Sequence, residues 1–299
     1  MNKPLISFLL LSYNQEEYIN DAIDGAFSQT YSPLEIIISD DCSNDNTYEI
    51  IKHRVSQYNG NHIVKINRND RNMGIAQHFN KLCEMSSGEI IVAAAGDDIS
   101  LPNRVMRSYE ILSENPNSSC VSFNSVMFNS STQIERNIVS YSNSVSVLNK
   151  YDYFRFSDFI IFSGDSRAFK KKIYDFFGPI IYGKDEDSTY FIRSILFGSI
   201  CFSEEFMVLK RQHNKNVSAP KNKSTYNDKD FLDQPLMDVK IALDNNLITS
   251  REALMMQYKI KQSNRLLKDN YFHCKSLLYK LLYDVPLKII KHIKNRVFV

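Results

Sequence analysis

The chain has 299 residues, 43% of them apolar and 23% charged, an ordinary globular composition long enough for one large domain or two small ones. The formal charge is +2, from 36 basic and 34 acidic side chains, so bulk charge gives no reason to expect nucleic acid as a partner. The five cysteines (Cys42, Cys83, Cys120, Cys201 and Cys274) are scattered with no C-x-x-C pair. They make a poor disulfide framework and a poor zinc site, as expected in a reducing cytoplasm.

Leu5–Leu11 is a continuous apolar run, the pattern of a strand covered on both faces. It is too short for a signal segment with its cleavage site or for a membrane span. After the polar Ser12-Tyr13-Asn14, the segment Glu16–Ser28 carries Tyr18, Ile19, Ala22, Ile23, Ala26 and Phe27 at helical spacing, and Pro33 closes the unit. A second strand is expected at Leu34–Ser39, a polar loop at Asp40–Asn46, and a second helix at Thr47–Tyr58. Ile63–Ile66 reads as a short strand, Gly74–Met85 as a helix and Glu89–Ala94 as a fourth strand. This rhythm predicts a parallel sheet of right-handed βαβ units, whose ligands sit at the carboxyl ends of the strands. Further on, Arg104–Asn115 is expected to be helical and Ser119–Val126 extended. Residues 129–146 read as loop or edge strand, and 156–167 and 171–177 as mixed. Asp185–Phe197 has helical spacing, 214–230 is polar and rich in lysine, and helices are expected from about Phe231.

Three acidic clusters follow or precede these elements. Asp40-Asp41-Cys42-Ser43-Asn44-Asp45-Asn46-Thr47 follows the second strand. Adjacent carboxylates repel, so they call for a cation or hydrogen-bond donors. Asp45 or Asn46 can also serve as a helix cap. Ala95-Gly96-Asp97-Asp98 ends the fourth strand. Two acids beside a glycine suit a divalent cation that also holds a diphosphate, although a charged turn before Pro102 has the same composition. Lys184-Asp185-Glu186-Asp187 enters the helix that carries Arg193. Acids there favour the helix dipole, or one of them acts as a general base.

As an ordered set these motifs are distinctive. Ser12-Tyr13-Asn14, the Asp40–Thr47 loop, Asn72-x-Gly74, Asp97-Asp98, and Glu186-Asp187 followed by Arg193 and Gly198 occur in that order. Over about residues 4–220 the chain resembles family 2 glycosyltransferases of the GT-A fold. No G-x-G-x-x-G and no P-loop motif is present, against a dehydrogenase or an ATPase.

The resemblance implies an α/β fold, with a Rossmann-like nucleotide-binding half, a mixed central sheet and C-terminal helices. The expected division is a catalytic domain over 1–225, with a nucleotide-sugar half (1–100) and an acceptor half (101–225), then a helical extension over 226–299. It implies that Ser12, Asn14, Glu16 and Asp40 hold the base and ribose, and that Asn72 and Gly74 lie along the nucleotide. Asp97 and Asp98 match the acidic motif that bridges the diphosphate through Mn²⁺ or Mg²⁺. Ala95 stands where the family often has a further Asp, so Asp98, or failing it Asp97, is left to carry the metal. Glu186-Asp187 matches a motif whose Asp is the catalytic base, Arg193 lies on the same helix, and Arg211 and His213 match a weaker region near phosphates or acceptor. The implied reaction is inverting transfer of one sugar, with a UDP-sugar as the expected donor, to a glycan or lipid-linked acceptor in bacterial surface-polysaccharide or O-antigen synthesis. The alternative, motivated by Ala95, is an inactive member that binds nucleotide or glycan as an assembly module. A nucleotidyltransferase would carry a Gly-rich basic loop where Leu11-Ser12-Tyr13-Asn14 stands.

The C-terminal segment differs in charge. Arg265–Val299 carries a net +6, leaving −4 for residues 1–264. Leu277, Leu278, Leu281, Leu282 and Val285 form an apolar face with Lys275 and Lys280 between, and Lys288, Lys291, Lys294 and Arg296 follow. Such a segment suits the anionic cytoplasmic face of an inner membrane, or a helix packed on the domain with its lysines in water.

Overall fold

The computed structural model describes residues 3–128, 144–155, 164–183, 186–213 and 230–261. At its centre β1 (Ile6–Ser12) pairs in parallel with both β2 (Leu34–Asp40) and β4 (Ile90–Ala95). β3 (Ile63–Arg68) adds in parallel to β2. On the other side, β8 (Ala168–Lys170) runs antiparallel to β4 and to β6 (Ser118–Phe128). β9 (Ser199–Arg211) lies parallel to β6 and carries β5 (Ile99–Ser100) and β7 (Val145–Leu148) antiparallel at its two ends. Among the described residues this is one sheet in the order β3-β2-β1-β4-β8-β6-β9-β5. The first four strands, and the change from a parallel to a mixed sheet, agree with expectation.

Alternation along the strands explains why helices cover both faces. Phe8, Leu10, Ile36, Ile38, Val92 and Ala94 point into one core, under α1 (Ile19–Phe27), α2 (Thr47–Ser56) and α4 (Arg104–Glu114). Leu9, Ile37, Ile91 and Ala93 point into the other, with Phe79 of α3 (Ile75–Met85) and Ile173 of α6 (Lys172–Phe177). Tyr190 and Ile195 of α7 (Asp187–Phe197) and Val239 of α8 (Asp230–Asp244) join the same core. Each large apolar side chain so buried contributes roughly 1.5–3 kcal/mol.

A helix over residues 250–261 packs Ala253, Met256 and Ile260 into that second core. It starts with a capping box. The Thr249 amide and hydroxyl donate to Glu252 Oε2 at 2.8 and 3.0 Å, and the Glu252 amide donates back to Thr249 Oγ1 at 3.3 Å. Glu252 Oε1 also takes Lys150 Nζ at 2.7 Å and the Tyr151 hydroxyl at 2.8 Å, which ties α5 (Lys150–Arg155) to this helix. Residues 230–261 of the expected extension therefore share the core of the sheet domain. The basic amphipathic segment and Cys274 lie outside the described residues, as do 129–143, 156–163, 184–185 and 214–229. Among the described residues no helix is long and apolar enough to cross a membrane.

The acid response of this tie is fixed in sign. Burial alone would raise the Glu252 carboxyl, but Lys150, the Thr249 amide and Tyr151 bring it from an ordinary 4.5 down to about 2. A depressed native value means the stabilisation is complete above the unfolded value and is lost as pH falls from 4.5 towards about 2. Urea titrations across that window should show Glu252→Gln losing less stability with acid than wild type. Parallel curves for the two proteins would show that the tie contributes nothing.

Candidate active site

The parallel register places three polar turns at one edge of the sheet. Ser12 is opposite Asp40, and Leu11 is opposite Ala95. Backbone bonds carry the sheet one step past its strands: Asp41 N–H donates to Ser12 O at 2.9 Å, and Gly96 N–H to Leu11 O at 2.8 Å. A Cβ on Gly96 would displace the end of the Gln15 side chain and stand 3.0 Å from Ser12 Cβ, so glycine suits the close approach of these turns.

The first two turns interlock. Asn14, at φ 51°, donates its amide to Ser43 Oγ at 2.8 Å, and its Oδ1 accepts the Asn44 amide at 2.9 Å. Glu16 Oε2 accepts the Asn46 amide at 3.0 Å and its Nδ2 at 2.8 Å. Ser12 is buried and donates to Ser39 O at 3.0 Å. Asp45 Oδ1 takes the Thr47 amide at 3.0 Å at the start of α2, and these Thr47 bonds outweigh burial to lower its pKa. His78 is buried against Ser39 Oγ at 2.7 Å, and burial lowers its pKa despite Asp41 and Asp40 nearby, so it serves as a packed histidine.

The two acids of the second turn divide their roles in a way the sequence does not reveal. Asp40, expected at the ribose, is fully buried. Its carboxylate accepts the Ser43 amide at 2.9 Å and the Ser43 hydroxyl, with Arg68 Nε at 3.4 Å. It therefore shapes its own loop, and no part of it is exposed to a ligand. Asp41, not singled out by sequence, takes Asn69 Nδ2 at 2.8 Å and the amides of Met73 and Gly74 at 2.9 and 3.0 Å. It thereby hangs the exposed Asn72–Gly74 segment beside the turns. Asn72 Oδ1 accepts the Gly74 amide at 2.9 Å, and Gly74 has φ 76°, a conformation that favours glycine.

The third turn carries Asp97 and Asp98. The Arg211 amide donates to Asp98 Oδ1 at 2.9 Å, Arg211 Nε to Asp97 O at 3.2 Å, and His213 Nε2 is 3.0 Å from Asp97 Oδ2. The end of β9 thus reaches this turn, because β5, just after it, pairs with β9. His213 stacks on Tyr18 at 4.6 Å, and Arg211 also pairs with Asp21 at 2.6 Å. Asp98 is pushed up to about 8 by burial, then by Asp97 and Asp165, against the Arg211 amide and Lys210. A carboxyl crowded by other acids is chemically suited to a hard divalent cation. Among the described residues no group of three or more His, Cys, Asp or Glu is placed to hold a metal. Two carboxylates with further oxygens from a diphosphate is the set Mg²⁺ or Mn²⁺ commonly takes.

Because β8 runs antiparallel to β4, its first residues lie against the carboxyl end of β4. Ala93 N–H donates to Arg167 O at 3.1 Å, one step before β8. The Arg167 side chain, fully buried, reaches Asp187 Oδ1 at 3.2 Å and Glu186 Oε1 at 3.6 Å. Glu186 is nearly buried and its pKa stands well above the ordinary value, from burial first and Asp187 second, with Arg167 opposing. Asp187 is half exposed, at 48%. Arg193, expected at the substrate, is instead fully buried. It forms a two-point ion pair with Asp238 of α8 at 2.8 and 3.1 Å and donates to Gly178 O at 2.7 Å. It joins α7 to α8, out of reach of any ligand. Arg167 and Asp165 were not legible in sequence, since neither sits in a motif.

Asp41→Ala should strand donors that now share one carboxylate and cost roughly 1–3 kcal/mol. Hydrogen exchange should quicken at the Met73 and Gly74 amides, while amides of β1 and β4 keep their protection; unchanged exchange at 73 and 74 would refute the role given to Asp41.

Comparison with known proteins bears on this arrangement. The family model "Glycosyl transferase family 2" matches residues 7–178. The putative glycosyltransferase EpsE of Bacillus subtilis is 30% identical over 109 residues, 36% of this chain and 38% of that protein. The putative teichuronic acid biosynthesis glycosyltransferase TuaG of B. subtilis is 30% identical over 112 residues, 38% of this chain and 43% of that protein. The chain thus spans about two fifths of the length of these curated relatives. In fold it is similar to S. aureus TarS in complex with UDP-GlcNAc, with TM-score 0.64 and 15% identity over 95% of this chain and 76% of that one. It is also similar to the mannosyltransferase PcManGT of Pyrobaculum calidifontis in complex with GDP-Man and Mn²⁺, with TM-score 0.58 and 13% identity over 99% of this chain and 80% of that one. The fold is GT-A, and with the family model covering more than half its length, the chain belongs to glycosyl transferase family 2.

Proposed function

We propose that the protein is an inverting glycosyltransferase that moves one sugar from a nucleotide-sugar, a UDP-sugar by preference, to a glycan or lipid-linked acceptor. The observation that carries this reading is topological. Antiparallel β8 sets Arg167, and with it Glu186 and Asp187, beside the edge where β4 delivers Asp97 and Asp98. A metal-suited acid pair and a second, exposed carboxylate thus share one edge of the sheet.

Asn14, Asn72 and Gly74 line the open side of the interlocked turns and receive the nucleotide, while Ser12, Glu16 and Asp40 shape the turns. Asp98, with Asp97, would hold Mn²⁺ or Mg²⁺. Such a cation, when bound, neutralises charge on a diphosphate leaving group. Arg211 and His213 set the Asp97 and Asp98 side chains from the far end of β9. Asp187 is the accessible member of its pair and takes the proton of the acceptor hydroxyl as that oxygen attacks the anomeric carbon. One base and one in-line displacement invert that carbon.

TarS with UDP-GlcNAc and TuaG with teichuronic acid biosynthesis in its name support a UDP-sugar and a surface polysaccharide. We take residues 1–225 as the catalytic domain, with the part of the extension over 230–261 packed into its core, and the basic amphipathic part beyond as the segment that brings the site to the cytoplasmic membrane face. Ala95 favours one other reading, an inactive nucleotide- or glycan-binding module.

Thermal unfolding with UDP, GDP, CDP and ADP, each with and without Mn²⁺, tests the donor site. UDP at 100 times its dissociation constant should add about 2.7 kcal/mol. That shift should need Mn²⁺ and vanish in Asp98→Ala; no shift with any nucleotide would sink the proposal. Asp187→Asn should keep the UDP shift and lower kcat by about 10²–10⁴-fold. UDP binding without UDP release from any UDP-sugar, across a donor and acceptor screen, would favour the inactive module.

A further inference from the structure

Beneath Glu186 and Asp187 lies a cation that no substrate can touch. Arg167 is fully buried at the start of β8. Its Nη1 is 3.2 Å from Asp187 Oδ1 and its Nη2 is 3.6 Å from Glu186 Oε1. The guanidinium lies 6.0 Å from the Phe79 ring centroid and 5.5 Å from that of Tyr190, and the two rings meet edge to face at 5.2 Å. Its backbone is fixed as well: Arg167 O accepts the Ala93 amide at 3.1 Å, and Arg104 Nη2 stands 3.4 Å away from the same oxygen.

The groups facing this guanidinium leave little choice of counter-charge. They are Asp187 and Glu186 from α7, Tyr190 one turn on, Cys120 from β6, Cys83 from α3, and the like-charged Arg104 from α4. Burial pushes both thiols up to about 12 and the phenol well above its ordinary value, so these three stay neutral. A guanidinium that cannot deprotonate must be answered by an anion when it is taken out of water. Among the described residues, the carboxylates facing it are Asp187 and Glu186, at the start of α7. A rigid fork between two rings also permits few positions for them.

We propose that Arg167 is the positioning residue of the acid pair: from inside the core it clamps Glu186 and Asp187 and fixes the first turn of α7. Its consequence for catalysis rests on Asp187 being the base; the clamp itself does not. A cation within about 4–6 Å lowers a carboxyl's midpoint, so removing the charge must raise that of Asp187. Proton abstraction needs the anion, and the acid limb of kcat must then move to higher pH.

The test uses the full chain with ¹³C-labelled aspartate carboxyls, the Asp187 signal being assigned by its loss in Asp187→Asn. Wild type, Arg167→Met, Arg167→Gln and Arg167→Lys are titrated, with circular dichroism as the check on folding. The Asp187 midpoint should rise by about one pH unit or more in the neutral variants. Arg167→Gln carries the comparison if Arg167→Met does not fold. Arg167→Lys, with the charge but not the fork, should fall between, and it decides the matter if neither neutral variant folds. An Asp187 midpoint equal to wild type in the folded variants overturns the clamp. On the same proteins, kcat is followed against pH with saturating donor. A limb that shifts with the carboxyl supports both clamp and base. A carboxyl that shifts while the limb stays fixed keeps the clamp and removes Asp187 from the base role.

Discussion

Parallel pairing of β1 with both β2 and β4 is the constraint on which the rest of this site depends. The register that puts Ser12 opposite Asp40 and Leu11 opposite Ala95 ends three strands at nearly the same height. Three turns then meet where one alone would have been a polar loop. Because both faces of the sheet are packed with apolar side chains, a slip by one residue would exchange the two cores, and the register is strongly held. The turns inherit that rigidity through the bonds from Asp41 to Ser12 and from Gly96 to Leu11.

Charge is the second constraint, and each acid pair meets it with help from another strand end. Asp40 draws on Arg68 at the end of β3, Asp97 on His213 just past β9, and Glu186 with Asp187 on Arg167 just before β8. All these strands present the relevant end at one edge. These partners are therefore supplied by topology and not by neighbours in sequence. Arg104 shows how deep the arrangement runs: fully buried, its pKa is lowered to about 10 by burial, against the pull of Asp165 and Asp98, and it donates to Ser100 Oγ and Ala93 O. Buried and tied to Ser100 and Ala93, Arg104 links α4 to β4 and β5 beneath the edge, which stiffens a site that must hold charge in fixed places.

The nucleotide-binding half was legible because its physics is local. A strand covered on both faces must be apolar throughout, and Leu5–Leu11 and Leu34–Ser39 declare themselves; the observed β1 and β2 differ by a residue at their ends. β9 was not legible. Its burial alternates over part of its length, it carries Glu204 and Glu205, and its register against β6 shifts at Phe123 and Asn124, so no single period runs through it. Yet Arg107 takes up Glu205 at 2.8 Å, so this charge is a paired strand residue.

By itself, then, the sequence determined the βαβ rhythm, the positions of the acid pairs after their strands, and the family. Only the tertiary structure decided what each member of a pair does. It buried both Asp40 and Asp41, giving the first to its own loop and the second to the Asn72–Gly74 segment, took Arg193 into a buried pair with Asp238, and set Arg167 beneath Asp187. The physical reason is that a side chain's burial and partners come from residues remote in sequence. Arg211 is 113 positions from Asp98, and Asp238 is 45 from Arg193. A motif places a carboxylate on an element, but its environment exists only when distant strands have met.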